Sequence, residues 1–229
     1  MGGERVVTQA DRRRALMAMP TAGGLPSAYR QVEYISNDWQ DGADSTGGKC
    51  PVIYTGAPIQ NIYPIVITTE FRMCDAGMYN GYVLTNLAGA TGNPTLAMAF
   101  RKNLYMRVGS STTDAEPNSG DKANTVIKAT MTITEDGTEC DFEENGTHYI
   151  AISPSVPESI PSIALFYNVA NGVAHGRIYS AAVRQQGTTV LQLVPCYRIA
   201  DGEIGVYDLV GKAFLTNGSN GAFAKGEDV

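Results

Sequence analysis

Three carboxylates at alternating positions, Glu139, Asp141 and Glu143 in the string Glu139-Cys-Asp-Phe-Glu143, are the residues of this chain whose spacing could do acid–base chemistry. On a strand, alternation puts all three on one face and Cys140 and Phe142 on the other. One carboxylate there could act as nucleophile and another as general acid, the middle charge raising its neighbour's pKa. A plainer reading stands beside this one. The string lies between two turn dipeptides, Asp136-Gly137 and Asn145-Gly146, with further acids at Glu135, Asp136 and Glu144, as on the solvated face of a hairpin.

A second cluster is the polar stretch Asn37-Asp-Trp-Gln-Asp-Gly-Ala-Asp44, which holds the single tryptophan. Trp39 could stack on the apolar face of a sugar while Asp38, Gln40 or Asp41 take its hydroxyls; it could equally anchor the loop in a core. Tyr63, Tyr79 and Tyr82 could assist. Asp38, Asp41 and Asp44 could also supply oxygen ligands to calcium, although they lack the ordered spacing and closing glutamate of an EF-hand loop, and Asp and Gly form turns without any metal.

Other chemistry has little to use. The four cysteines, Cys50, Cys74, Cys140 and Cys196, are scattered, and only His148 and His175 could join them, so no zinc site and no metal centre is expected. They read as reduced, buried thiols, with two disulfides as the alternative. There is no Gly-x-Ser-x-Gly elbow, phosphate loop, dinucleotide fingerprint or His-Glu-x-x-His string, and no cofactor is implied. Asn145-Gly-Thr147 and Asn217-Gly-Ser219 match glycosylation sequons but read as turns.

The elements that must carry these residues are strands. Gln31–Ile35, Ile65–Phe71, Thr95–Phe100 and Asn103–Val108 alternate apolar and polar residues. So do Thr125–Thr134, Thr138–Glu143, Tyr149–Ile152, Ser162–Tyr167, Gly176–Arg184, Thr189–Pro195 and Ile204–Asp208, while a helical period is almost absent. Pro195 is expected to end its strand, because it offers no N–H to the ladder. More than ten strands of five to ten residues, with no internal repeat, predict one all-β domain of two antiparallel sheets, a jelly-roll sandwich over residues 25–229.

Residues 1–24 differ in composition. They carry Arg5, Arg12, Arg13 and Arg14 against Glu4 and Asp11, a net +2, so the rest of the chain holds −8 of the total −6. Thr8-Gln-Ala-Asp11 could cap a short helix stopped by Pro20, too short to be stable alone. The arm is expected to pack on its own domain or to dock on another subunit. In the second case Arg12, Arg13 and Arg14 pair with acidic groups, and Leu16, Met17 and Met19 fill an apolar groove. The acidic balance of 17 Lys+Arg against 23 Asp+Glu argues against a nucleic-acid partner. No window approaches eighteen consecutive apolar residues and the N-terminus lacks the apolar run of an export signal, so neither membrane insertion nor standard export is expected.

The C-terminal third carries a specific succession: Gly176-Arg-Ile-Tyr-Ser180, Leu193-Val-Pro-Cys-Tyr-Arg198, Asp201-Gly-Glu-Ile-Gly-Val-Tyr-Asp-Leu-Val210 and Phe223-Ala-Lys-Gly226. With Leu25-Pro-Ser-Ala-Tyr29, Val32-Glu-Tyr-Ile35 and Ile53-Tyr-Thr-Gly56, it resembles the laminin-G-like, concanavalin A-like jelly roll that recurs in bacteriophage and prophage virion proteins. The likeness spans about 25–226. In that family a stretch like Arg12-Arg-Arg-Ala-Leu-Met17 often precedes the module, whereas Asn37–Asp44 is an insertion where the family has a short turn.

The resemblance implies a non-enzymatic virion structural protein, a capsid decoration or fibre-type accessory, assembled in the bacterial host cytoplasm. It would be anchored to other capsid or tail proteins by its arm, as a monomer or homo-oligomer, and would display a lectin-like domain to host-cell or mucosal glycans. The alternatives are a carbohydrate-binding tail or receptor-binding protein and a laminarinase-like hydrolase, since those enzymes share the jelly roll and carry Glu-x-Asp-x-Glu on a strand. Calcium sites are common in laminin-G-like domains, which keeps the calcium reading of Asp38, Asp41 and Asp44 open.

Overall fold

The computed structural model describes residues 24–37, 52–73, 81–86, 95–100, 103–117, 119–120, 122, 124–166, 176–218 and 221–229. Among these residues there are seventeen strands and no helix. In chain order they are β1 (Tyr29–Gln31), β2 (Ile35–Ser36), β3 (Ile53–Tyr54), β4 (Ile65–Met73), β5 (Gly81–Thr85), β6 (Leu96–Phe100), β7 (Leu104–Val108), β8 (Ser111–Asp114) and β9 (Val126–Ile133). There follow β10 (Thr138–Glu144), β11 (Thr147–Ser153), β12 (Ala164–Leu165), β13 (Gly176–Gln185), β14 (Thr188–Arg198), β15 (Ile204–Asp208), β16 (Ala213–Leu215) and β17 (Ala224–Lys225).

The strands form two antiparallel sheets packed as a jelly-roll sandwich. The larger runs β11-β10-β9-β4-β13-β14-β15-β16, with β1 beside β14, β2 beside β13 and β17 beside β2; the smaller runs β3-β12-β5-β6-β7-β8. The chain changes sheet repeatedly, so neither sheet is complete without segments distant in sequence.

Alternation decides which side chains fill the space between the sheets. In β9, Ile127, Ala129, Met131 and Ile133 are buried, whereas Lys128 and Thr130 are exposed. In β10, Cys140 and Phe142 point inward opposite Met131 and Ala129. The smaller sheet contributes Leu84, Leu96, Met98, Leu104 and Met106 to the same core. Each fully buried side chain of this size contributes about 1.5–3 kcal/mol relative to exposure.

Several expectations are corrected in detail. Gln31–Ile35 is two short strands rather than one, because Val32 leaves the β1 ladder to bridge Asp228. Ser162–Tyr167 contributes only Ala164–Leu165 as strand: the Ser162 hydroxyl lies 3.2 Å from that of Thr55 and accepts from Gly56 N–H instead of supporting a longer ladder.

Pro195 does not end its strand; β14 continues to Arg198. The Pro195 carbonyl accepts from Val32 N–H at 3.0 Å, so the missing donor of Pro195 faces the point where β1 stops, while the other edge keeps its register, Pro195 opposite Val206. β13 and β14 pair only as far as Ala181 and Leu193; beyond this they part, and β2 and β1 fill the gap.

Turn chemistry closes the hairpins. Asn145 (φ 50°) and Gly146 (φ 83°) form a two-residue left-handed turn between β10 and β11. Gly137 works differently: a Cβ there would sit 2.6 Å from the Ser153 carbonyl oxygen, so its requirement is close approach of backbones. After β15, the Asp208 carboxylate accepts from the N–H groups of Gln192, Val210 and Gly211 and fixes the reversal into β16.

Candidate functional site

The acidic string lies on β10, second from the edge of the larger sheet, with its carboxylates on the outer face. Both oxygens of Asp141 lie within 3.0 Å of His148 Nδ1 on β11. Glu143 accepts from Gly146 N–H and has Lys128 Nζ at 3.9 Å on β9. Glu139 is exposed, between Thr132 and an Ile152 that is 64% exposed. Two of the three carboxylates are thus engaged with cross-strand side chains on an open face, one by a histidine ring nitrogen and one by a surface ion pair. Such pairs contribute little to stability, about 0–1 kcal/mol each. The combined variant Glu139→Gln, Asp141→Asn, Glu143→Gln is therefore expected to unfold in urea within about 1 kcal/mol of the parent, and a larger loss would mean that the fold depends on this face.

The two free cysteines among the described residues, Cys140 and Cys196, are buried. Burial pushes the Cys140 thiol far above its ordinary range, aided by the neighbouring charges of Asp141 and Glu139, and pushes Cys196 up to about 12 against a weaker lowering by the Tyr207 backbone. Both are neutral core side chains, as the sequence implied.

Asp38, Trp39, Gln40, Asp41 and Asp44 lie outside the described residues, as do Arg12, Arg13, Arg14, Leu16, Met17, Met19, Cys50, Cys74, Tyr79 and His175. The 38–51 segment is rooted at Asn37. Asn37 is 4% exposed; its backbone N–H donates to the Gly176 carbonyl at 3.3 Å, and its Oδ1 accepts from Gly176 N–H at 2.8 Å. Gly176 in turn faces Met73. Segments 38–51, 74–80 and 167–175 thus have roots side by side at one end of the larger sheet. Tyr63 is half-buried against the core and Tyr82 is buried.

A constellation the sequence reading did not assemble lies on the outer face of the smaller sheet. One row across the strands is Tyr54, Ala164, Thr85, Ala97, Arg107 and Thr112; the next is Tyr82, Ala99, Tyr105 and Asp114. Ala97, Ala99 and Ala164 make a floor of small residues, packed with Tyr82 and Tyr105 in a cluster separate from the core between the sheets. The Thr85 hydroxyl is buried and, among the described residues, has no hydrogen-bond partner. Arg107 donates from Nε to the Gly109 carbonyl (3.2 Å) and from Nη1 to the Tyr82 hydroxyl (3.3 Å). The face opens toward β8, where Thr112 and Asp114 are exposed. The signal available in the sequence was the alternation Ala97, Ala99 against Tyr105, Arg107 on two adjacent predicted strands.

No family model matches this chain, and no curated protein matches it in sequence. Among solved structures, the sandwich is similar to a native heptameric SAP-like pentraxin from Limulus polyphemus, at 9% identity and a TM-score of 0.49 over 82% of this chain and 95% of that one. It is also similar to the full-length tailspike protein 2 of an Escherichia coli O157:H7 bacteriophage, at 10% identity and 0.44, covering 72% of this chain and 27% of the tailspike. The enzymatically active domain of tailspike protein 2 of bacteriophage CBA120 aligns at 9% identity and 0.40, over 72% of this chain and 30% of that one. The chain spans less than a third of either tailspike chain, and at these identities the likeness concerns the path of the chain alone.

Proposed function

We propose that this chain is a non-enzymatic bacteriophage virion structural protein, a capsid decoration or fibre-type accessory. It is anchored by residues 1–24 and displays a lectin-like sandwich. The observation that carries the reading is where the family-like blocks fall. Val32-Glu-Tyr-Ile35, from the start of the chain, lies beside Gly176-Arg-Ile-Tyr-Ser180 through β2 and β13, and β17, within Phe223-Ala-Lys-Gly226, flanks β2. β1 and β15 run along opposite edges of the second half of β14, the strand of Leu193–Arg198. Stretches almost two hundred positions apart thus form one strip of the larger sheet, which supports reading them as one module of the family they resemble.

The hydrolase alternative has less behind it. Of its three carboxylates two are held by His148 and Lys128 on an open face, whereas a retaining or inverting pair must flank a bound glycosidic bond. A carbohydrate-binding tail or receptor-binding protein is the second reading, and the polar outer edge of the smaller sheet favours it. The test is antibody labelling of purified particles from cells that carry the gene. The expected result is label on intact particles, and its absence from particles that are otherwise complete overturns the virion assignment.

A further inference from the structure

We infer that the exposed edge of the smaller sheet, the shelf formed by Arg107, Thr112 and Asp114, is a binding site for a neutral, hydroxyl-rich saccharide. The inference rests on the glycan-binding side of the proposed function and gives it a location other than the Trp39 loop.

A guanidinium carries five N–H donors. Two of those of Arg107 are used by the Gly109 carbonyl and the Tyr82 hydroxyl, which hold the group in one orientation. Three remain, and no carboxylate of a described residue lies within ion-pair distance. Asp114 follows on the neighbouring strand: it faces Tyr105 while Arg107 faces Thr112, so the two charges are diagonal neighbours, about 7–8 Å apart at the backbone. The Asp114 carboxylate is exposed and, among the described residues, has no hydrogen-bond or ion-pair partner. These charges share one face without being joined: a donor-rich group held over the alanine floor toward Tyr82, and an exposed acceptor-only group on the edge strand beside it.

That pairing selects the ligand. A carboxylate, sulfate or phosphate that satisfied Arg107 would be repelled by Asp114, and an ammonium drawn to Asp114 would be repelled by Arg107. The group that can accept from one and donate to the other is the hydroxyl, and the several hydroxyls of a saccharide can reach both side chains along the face. Thr112 adds a hydroxyl able to donate or accept between them. Behind the shelf, Tyr82, Tyr105 and the alanine floor are buried and keep Arg107 in place, so the contacts to a ligand are made by groups already oriented.

The test is a glycan array of neutral and acidic oligosaccharides, probed with the full chain and with Asp114→Asn, Arg107→Lys and Trp39→Ala, each variant checked by its melting temperature. Asp114 is exposed, so its replacement tests binding without threatening the fold. The expected result is binding to neutral glycans, weakened about tenfold or more by Asp114→Asn and by Arg107→Lys, as for loss of a hydrogen bond to a charged group. Retention of full binding by both variants overturns the shelf while leaving glycan binding in place, and loss in Trp39→Ala alone moves the site to the 38–51 loop. Binding confined to acidic glycans overturns the ligand class. Should the parent chain bind nothing on the array, the glycan reading falls together with the shelf, whereas the virion assignment is decided separately by particle labelling.

Discussion

Phe142→Ala is expected to destabilise the protein by about 3–5 kcal/mol and to lower the melting temperature by roughly ten degrees or more. Phe142 is fully buried and is among the largest side chains in the core, opposite Ala129 on one neighbouring strand and Tyr149 on the other. Truncation removes the ring's transfer free energy and leaves a cavity that two hydrogen-bonded sheets cannot readily close. Asp141 and Glu143 flank Phe142 in sequence, yet replacing them together with Glu139 is expected to cost about 1 kcal/mol or less. Urea denaturation of the two variants side by side checks both. Equal losses would mean that the alternation of β10 does not separate core from surface.

This alternation is also why so much of the fold was legible. A buried face and a solvated face repeat every two residues, so β4, β9, β10, β13 and β14 could be drawn from residue types alone, with ends that needed only small adjustment. What the sequence could not show was which edge of a strand a residue's hydrogen bonds use. Pro195 illustrates the difference. Its missing N–H ends a ladder only on the side it faces, and that side is where β1 stops, so β14 keeps its partner on the other edge for two more residues. Val32 and Ser162 mislead for a related reason: each is partnered by a segment distant in sequence, Asp228 and Gly56 respectively, which no local pattern announces.

The candidate site was less legible because it is assembled across strands. Arg107 and Asp114 lie only seven positions apart, but nothing in that spacing marks them as a pair until the β7–β8 register sets Thr112 and Tyr105 as their direct partners. The acidic string shows the opposite error. Its spacing suggests chemistry, yet the cross-strand neighbours His148 and Lys128, which give its charges an ordinary role, are set by hairpin registers. Alternation within one strand can be read from sequence; the identity of the facing residue depends on turn geometry, where a one-residue change moves every side chain to the other face.

If residues 1–24 anchor the chain to a particle as proposed, deleting them is expected to abolish incorporation while leaving a domain that melts cooperatively, within about 1 kcal/mol of the full chain. Among the described residues, packing against the domain is already in place from Leu25 onward. Gly24 is exposed, and a Cβ built on it would meet nothing within 4 Å. Leu25 packs against the cluster of Cys196, Tyr207 and Leu209, and Tyr29 sets its ring 5.0 Å from those of Tyr207 and Phe214. From Tyr29 the backbone is committed to β14, so removal of everything before Leu25 leaves these contacts intact. Reversing the charge at Arg12, Arg13 and Arg14 should weaken attachment more in low salt than in high, since surface charge pairs are screened over about 10 Å at 0.1 M salt. Normal incorporation of the truncated chain overturns the anchoring role. Loss of cooperative melting would instead show that residues 1–24 belong to the fold of the sandwich, in which case their hydrophobic residues, Leu16, Met17 and Met19 among them, complete its core.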